Sequence, residues 1–230
     1  MDWWWNDCFL VRSHLWAAIQ KHAGEWGDAI LDFGCGGKPY EQLFRGKHYV
    51  GVDIAVSGHD HATSQVDVFY NGHTLDIPDE SFDAVISTEV LEHLFNCDEA
   101  LSEIKRVLRP NGKLFITTPF LWAEHEKPYD YARYTTFGLK ALLEKHGFDQ
   151  VSVERRGHAV EGLCQLALTY AVRRLTVRPL FLHRLITFFW CSIFNLCAIA
   201  GRNILPAYPD IYLSNIATAI KSADMYHRPL

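Results

Sequence analysis

Short apolar runs alternate with amphipathic stretches along this chain, and that alternation predicts its secondary structure. Residues 13–25 place apolar side chains at helical spacing, and residues 29–33 form an apolar run that ends in a glycine cluster. Similar runs predict further strands over residues 49–53, 82–87, 113–117, 151–154 and 212–221. Because helical segments separate these strands, the pattern predicts a mostly parallel sheet with helices on both faces.

Local signals predict where two of the helices begin and end. Asn96 is followed by Glu99, which is the spacing of a capping box, and the apolar stripe behind it stops at the Pro-Asn-Gly of residues 110–112. Thr135 or Thr136 begins a later helix, which we expect to end at Gly147.

Residues 158–206 separate the last two predicted strands, which is far more chain than a simple connection needs. The first part carries a polar residue every fourth position, from Glu161 to Arg173, and residues 185–200 carry no charged side chain. As a helix this second part would span about 24 Å, short of a bilayer core of roughly 30 Å, so we expect no transmembrane span. Three alternatives stay open: a cover over the acceptor pocket, a homodimer interface through residues 180–201, or peripheral contact with a membrane surface. Trp3, Trp4 and Trp5 would join the membrane contact or cover the edge of the sheet.

Composition and charge narrow the class of protein. The chain has 230 residues and a formal net charge of -5, which suits one α/β domain and argues against a nucleic-acid partner. Six cysteines without a CxxC pair indicate reduced thiols, not a disulfide framework or a zinc site. The N-terminus lacks the basic start of a secretion signal, so we expect a cytoplasmic protein, either free or at the inner face of the membrane.

The pattern divides the chain into four parts: a helical segment (1–27), a core (28–157), the apolar helical insertion (158–206), and the final strand with its tail (207–230). Ligands of open α/β sheets bind at the carboxyl ends of the strands, where this chain places Gly34, Gly36 and, 19 positions after Gly34, Asp53. A glycine turn with an acid on the next strand binds a ribose, but it does not separate a nucleoside cofactor from a dinucleotide. Pro39 stands where the dinucleotide pattern requires its third glycine.

Five segments follow one another along the chain: ILDFGCG at 30–36, YVGVDI at 49–54, LDIPDESFDAV at 75–85, STEVLEHL at 87–94 and VLRPNGKL at 107–114. In this order they resemble the motifs of class I methyltransferases that use S-adenosylmethionine (SAM), within the type 11 methyltransferase domain group. The resemblance implies a Rossmann-like fold with a seven-stranded sheet whose last strand is antiparallel, SAM as cofactor and S-adenosylhomocysteine (SAH) as product. It implies a cofactor site made of Asp32, Gly34, Gly36, Asp53, Ile54, Asn71, Gly72, His73, Thr88 and Glu89.

Two positions depart from the family pattern. Lys38 stands where many members carry glycine, and Asn71 stands where an aspartate usually meets the adenine amino group. An asparagine carbonyl can still accept from that amine, although without charge assistance. These departures keep open a second class of function, a non-catalytic binding or scaffold protein with a degenerate site.

The stretch EHEKPYDYARY at 124–134 follows the predicted fifth strand and is dense in titratable and aromatic groups. It is similar to a signature of methyltransferases of bacterial surface-polysaccharide biosynthesis, which implies a small-molecule or glycan acceptor and O-methylation of a sugar or glycolipid. His125 is the first candidate for the general base and His93 the second. In the alternative, His125, Asp130 and Arg133 form a structural polar network. The apolar insertion would also suit a quinone or other lipid acceptor, and we expect no metal site, with His59-Asp60-His61 in an exposed loop.

Overall fold

A computed structural model describes residues 5–55, 65–175 and 179–223 of the chain. The predictions for Trp3, Trp4 and the His59-Asp60-His61 pattern lie outside the described residues. Clustering of backbone contacts separates two compact units. Among the described residues, those of the sheet unit fall within 19–118, 124–154 and 215–223, and those of the helical unit fall within 5–18, 119–123 and 155–214.

One seven-stranded sheet runs in the order β3-β2-β1-β4-β5-β7-β6. Its strands are β1 (Ala29–Phe33), β2 (His48–Ile54), β3 (Val68–Tyr70), β4 (Phe82–Thr88), β5 (Leu108–Pro119), β6 (Phe148–Arg156) and β7 (Ser214–Lys221). The sheet is mixed and mostly parallel, which confirms the predicted fold class. The order reverses beside β1, so the carboxyl ends of β1, β2 and β4 meet where ligands of such sheets bind.

Strand β3 has no counterpart among the strands predicted from apolar runs. It is three residues long, and only its last residue, Tyr70, is buried. A strand that is short and half exposed leaves too few apolar positions for periodicity to register.

Helices α2 (Cys97–Val107) and α3 (Thr136–Lys145) belong to the sheet unit. The predicted stripe of α2 is buried, because Leu101 and Ile104 pack in the same core as Leu31 and Val85 of the central strands. The Thr135 hydroxyl accepts from the Gly138 N–H at 3.0 Å, which confirms the predicted start of α3.

Helix α2 begins directly after Asn96, as predicted, but the predicted capping box and the predicted end of the helix were wrong. Asn96 precedes α2 but its side chain makes no capping hydrogen bond, so the capping box does not form. The same helix ends at Val107, before the Pro-Asn-Gly of residues 110–112, because the chain enters β5 at Leu108. The strand register then shifts, with Leu108 opposite Phe82 and Lys113 opposite Ala84, and the shift absorbs residues 109–112.

The helical unit holds most of α1 (Phe9–His22), all of α4 (Ala159–Arg174) and all of α5 (Leu180–Ile204). Leu10 and Leu15 of α1 share an apolar cluster with Ala198 of α5 and with Leu213. The length argument against a membrane span was wrong, since α5 has 25 residues and a length of about 37 Å. It is long and apolar enough to cross a bilayer, and only 17% of its apolar window is buried.

Candidate active site

A cavity of about 360 Å³ lies in the sheet unit at the carboxyl ends of β1, β2 and β4. That volume falls within the range of about 300–1,000 Å³ typical of small-molecule sites. Most of the predicted cofactor residues line it. The lining consists of Gly34, Gly36, Asp53, Ile54, Tyr70, Gly72, His73, Thr88, Glu89, Val90, His93, Leu94, Phe95, Asn96, Glu126, Tyr129 and Tyr131.

The glycine loop after β1 forms one wall of this cavity. Gly34 has a φ of +83°, and a Cβ there would lie 2.2 Å from Cγ2 of Val90, so only glycine fits. Gly36 also has a positive φ, but a Cβ there would meet nothing within 4 Å. The loop therefore leaves open space where a ligand can approach the backbone.

Lys38, the first departure from the family pattern, does not line the cavity. Its Nζ lies 2.5 Å from Oδ2 of Asp67, and the same oxygen accepts from the Gly51 N–H at 2.7 Å. The lysine thus ties the glycine loop to the chain before β3, and its side chain leaves the ligand space unobstructed.

Asp53 at the end of β2 carries a carboxylate that faces the cavity with a fixed orientation. Its Oδ2 accepts from the Gly36 N–H at 2.8 Å, and its Oδ1 accepts from the Ile54 N–H at 2.7 Å. A carboxylate has about four acceptor positions, so each oxygen keeps capacity for one more donor. Two adjacent hydroxyls of a ribose match that remaining capacity, and the residues present therefore fit a nucleoside.

The structure places Asp32 outside the lining of the cavity, contrary to its predicted contact with the cofactor. The side chain is 1% exposed, and its Oδ2 accepts a hydrogen bond from the Tyr49 hydroxyl. Burial raises the pKa of Asp32 to about 7, an effect that the Tyr49 hydrogen bond only partly offsets. Asp32 therefore links the side chains of β1 and β2 beneath the site.

Asn71, the second departure, is likewise not part of the lining. Its Oδ1 accepts from the N–H groups of His73 and Thr74 at 2.8 and 2.7 Å, which is an Asx turn. That turn presents Gly72 and His73 to the cavity in its place. The His73 Nδ1 lies 2.5 Å from Oε2 of Glu99 at the exposed rim.

Glu89 follows β4 in a strained, left-handed backbone conformation with a φ of +54°. Its Oε1 accepts from the Thr117 hydroxyl at 2.8 Å. Burial raises the pKa of Glu89 to about 7, although the Thr117 hydrogen bond and Arg133 act in the opposite direction. A carboxylic acid that titrates near neutrality thus lies in the wall of the cavity.

Glu92 and His93 form the next turn of the same segment. Glu92 is fully buried, neither of its carboxylate oxygens has a hydrogen-bond partner among the described residues, and burial raises its pKa well above the usual value. His93 lines the cavity, and its Nδ1–H donates to the Tyr129 carbonyl at 2.7 Å. Its Nε2 lies 3.6 Å from Oε1 of Glu92 and 3.6 Å from Oε1 of Glu126.

His125, the first predicted base, packs against His93 and is not part of the lining. The two imidazole rings meet edge to face with centroids 4.7 Å apart. Its backbone N–H donates to Asp130, whose carboxylate binds the Arg133 guanidinium through two hydrogen bonds of 2.5 and 2.7 Å. The polar network that was the alternative to catalysis is therefore present. Burial, together with the neighbouring His93, lowers the pKa of His125 and favours a neutral ring.

Glu92, His93 and His125 also have the composition of a metal site. One ligand atom from each residue lies within 4.8 Å of the others, and two imidazoles with a carboxylate can hold a divalent cation. This group is not recognisable in the sequence, because its members are far apart there: Glu92 and His93 follow β4, and His125 follows β5.

Sequence reasoning missed about half of the lining. Glu126, Tyr129 and Tyr131 belong to the polar and aromatic stretch that was singled out, so its composition was a usable signal. Asn96 was interpreted as a helix cap and instead lines the cavity. Tyr70 and Phe95 carried no signal, because a lining residue and a core residue look alike in sequence, whereas Val90 and Leu94 lie in the quoted segment at 87–94.

Comparison with known proteins agrees with this fold and cavity. Residues 31–116 match the family model described as a methyltransferase domain. The O-methyltransferase rstn1 of Aspergillus nomiae is 34% identical over 145 residues, which cover 53% of this chain and 64% of that protein. The ubiquinone biosynthesis O-methyltransferase of Aeromonas salmonicida is 34% identical over 110 residues, which cover 43% of this chain and 46% of that protein.

Among solved structures, the chain resembles phosphoethanolamine N-methyltransferase 2 of Haemonchus contortus in complex with phosphomonomethylethanolamine and SAH. The TM-score is 0.57 at 21% identity, covering 92% of this chain and 53% of that one. The chain spans about half to two thirds of the length of the curated relatives named above. The match over residues 31–116 agrees with the predicted class of SAM-dependent methyltransferase.

Proposed function

We propose that the chain transfers a methyl group from SAM to a hydroxyl of a sugar or glycolipid. The observation that carries this proposal is the composition of the cavity wall. A ribose-competent carboxylate, Asp53, faces it from β2, and an imidazole, His93, faces it from the segment after β4.

The donor half of the site is the glycine loop with Asp53 and Glu89. Backbone around Gly34 and Gly36 leaves room for the amino-acid part of SAM, and Asp53 accepts from the ribose hydroxyls. Gly72 and His73 flank the adenine. The sulfonium supplies an activated methyl group for an in-line displacement, which depends on positioning of the acceptor in a site with little water. Glu89 borders the position of the positive charge.

The acceptor hydroxyl must lose a proton, and we assign the role of base to His93, which lines the cavity. Donation from Nδ1–H to the Tyr129 carbonyl sets the tautomer, so Nε2 carries the lone pair in the neutral ring. Nε2 has no hydrogen-bond partner among the described residues and lies 3.6 Å from Glu126, which would stabilise the imidazolium once formed. His125 packs against the His93 ring and acts as a positioning residue. His93 therefore replaces His125 as the first candidate for the base.

A sugar acceptor follows from the HExPYD and RYT resemblance of residues 125–136, and a quinone acceptor is the second candidate. The ubiquinone biosynthesis O-methyltransferase of Aeromonas salmonicida supports the quinone candidate by similarity. Both acceptors present a hydroxyl to the same base. Turnover with sugar nucleotides or glycolipids, and none with a detergent-solubilised catechol-type quinone precursor, would support the sugar; the reverse result would support the quinone.

Calorimetric titration with SAM and SAH tests the donor site directly. The Asp53→Asn variant is expected to raise the dissociation constants of both ligands by roughly tenfold to a hundredfold, since hydrogen bonds to a charged group contribute about 1.5–3 kcal/mol each. Asp83→Asn is the matched control, because Asp83 also accepts backbone N–H groups, from Asp28 and Ala29, but does not line the cavity. If well-folded wild type binds neither ligand, the alternative of a non-catalytic binding or scaffold protein is supported.

The base is tested by turnover. His93→Gln is expected to lower the rate by roughly a hundredfold to ten-thousandfold while SAM binding persists. His125→Gln should cause a smaller loss that shows in the rate and not in the affinity for SAM. A His93→Gln enzyme with full activity would remove His93 from the mechanism.

We place this activity in the cytoplasm, at the inner face of the membrane. All six cysteines are free thiols, which is the state that a reducing compartment maintains. For the apolar insertion, a homodimer interface and a membrane contact remain the two candidates that the exposed surface of α5 supports.

A further inference from the structure

Helices α4 and α5 expose apolar side chains and bury polar ones. The surface that we call the outer face consists of Leu163, Tyr170, Leu185, Phe189 and Leu196, which are 55–68% exposed. Glu161, Gln165 and Asn195 of the same two helices are at most 1% exposed. Surface helices of water-soluble proteins have the opposite arrangement, with the apolar stripe inward.

The buried polar groups have specific partners within the helical unit. Glu161 lies 3.1 Å from Nε2 of His14 and 3.0 Å from the Arg202 guanidinium. The Gln165 amide donates to the Asp7 carbonyl at 2.7 Å, and the Asn195 amide donates to the Asn6 carbonyl at 3.2 Å. Polar side chains that pair with groups inside a helical unit whose exterior is apolar are typical of helices in contact with lipid.

The exposed charged side chains of α4 and α5 are all positive. The only acid of these two helices among the described residues is Glu161, which is buried and ion-paired. Arg173, Arg174 and Arg184 are exposed near the ends where α4 stops and α5 begins. Exposed arginines beside an apolar surface complement the headgroups of anionic lipids.

We propose that the outer face binds the surface of a lipid bilayer that contains anionic lipids. A second copy of this chain fits less well, because neither helix offers an exposed acid that could pair with these arginines across a dimer interface. This inference concerns where the protein acts and does not depend on methyl transfer.

The two helices lie in the membrane surface and do not cross it. A Cβ on Gly201 would lie 2.6 Å from Cγ1 of Val160, so the end of α5 packs on the start of α4 and the pair is antiparallel. The chain therefore enters and leaves the pair at the same end. Helix α4, with 16 residues, is about 24 Å long and too short for the roughly 30 Å of a bilayer core.

Flotation with vesicles tests the proposal. The full chain is mixed with vesicles of phosphatidylcholine alone or with phosphatidylglycerol added, and its partition coefficient is measured. The variant Leu185→Gln/Phe189→Gln/Leu196→Gln removes the apolar contact, and we expect it to bind at least roughly tenfold more weakly. The variant Arg173→Gln/Arg174→Gln/Arg184→Gln should lose the preference for anionic vesicles and retain the weaker binding to phosphatidylcholine.

Controls separate a lost contact from a lost fold. Phe137→Gln removes an apolar side chain that is 77% exposed on α3 of the sheet unit, and it should bind vesicles as wild type does. SAM titration and the unfolding midpoint of each variant report an intact fold. The proposal is overturned by wild-type protein that stays with no vesicle, by an outer-face variant that floats as well as wild type, or by a dimer in solution that the outer-face variant dissociates.

Discussion

Glu89 combines a strained backbone, a buried carboxyl group and a place in the cavity wall within a single residue. Its pKa of about 7, raised by burial, means that the group changes charge in the physiological range. In the proposed complex, the carboxylate that is ionised above that pKa attracts the sulfonium of SAM, whereas the sulfur of SAH carries no charge. The residue can therefore distinguish substrate from product by an amount that depends on pH.

We expect the ratio of the SAH to the SAM dissociation constant to rise by several-fold to roughly tenfold as the pH increases from about 5 to about 9. The sign follows because deprotonation of Glu89 strengthens only the interaction with the cation. Calorimetric titration of wild type and Glu89→Gln with both ligands at each pH checks it. A ratio that rises equally in the variant would assign the effect to another group.

Two residues show why the position of the site could be predicted from the sequence, but not every contact in it. Asp53 could be predicted, because a strand-end acid after a glycine turn has one geometrical place in such a sheet. Asn71 could not, because its amide has a local alternative, the Asx turn with His73 and Thr74, that no family position encodes. The role of a short polar side chain is hard to predict from its position in the sequence, because it can form hydrogen bonds with the neighbouring backbone.

Helix α4 depends on one buried acid. Glu161 accepts from the His158 N–H at 2.7 Å in a capping box and pairs with His14 and Arg202. Burial opposes its ionisation, but the hydrogen bonds from His14 and His158 outweigh that effect and lower the pKa of Glu161 to about 2. Its contribution to the free energy of unfolding is present above the unfolded-state pKa of about 4.3 and is lost as the pH falls toward 2.

Glu161→Gln is expected to reduce the free energy of unfolding by about 1.5–3 kcal/mol at neutral pH, because the hydrogen bonds of His14 and Arg202 to a charged group are lost. The difference from wild type should shrink as the pH falls below about 4. Denaturant titrations at several pH values measure it. Glu144→Gln, an exposed acid on α3, should change the same quantity by no more than about 0.5 kcal/mol. A deficit that persists unchanged in acid would show that packing, and not charge, holds this site together.

At the level of elements, periodicity predicted those helices and strands that bury a whole face. The stripe of α2 and the threonine cap of α3 depend on residues adjacent in sequence, so both were predictable. The length of α5 was not, because Arg184 and Arg202 interrupt its apolar run while the helix continues past them. Charged residues end an apolar run in sequence, but long side chains let a helix continue with the charge at the surface.

The cysteines report on the whole molecule, because they are spread over both units. Cys35 and Cys191 are buried, and burial raises their pKa values to about 12 and about 11, so neither forms a thiolate readily. Cys197 on α5 is exposed. We expect an aromatic disulfide reagent to label Cys197 first in the native protein and all six thiols after denaturation without reductant. Fewer than six would indicate a disulfide and argue against a cytoplasmic location.

The labelling rate of Cys197 also tests the proposed membrane contact. Cys197 is exposed and lies about 100° around α5 from Leu196, so its sulfur borders the outer face and a bilayer on this face shields it in part. Anionic vesicles should therefore slow the labelling of Cys197 in wild type and leave its rate unchanged in the Leu185→Gln/Phe189→Gln/Leu196→Gln variant. A Cys197→Ser protein should lack the rapid phase under all conditions, which identifies the thiol observed. Because a dimer interface would protect Cys197 without vesicles and in proportion to protein concentration, one labelling experiment separates the two occupants of this surface.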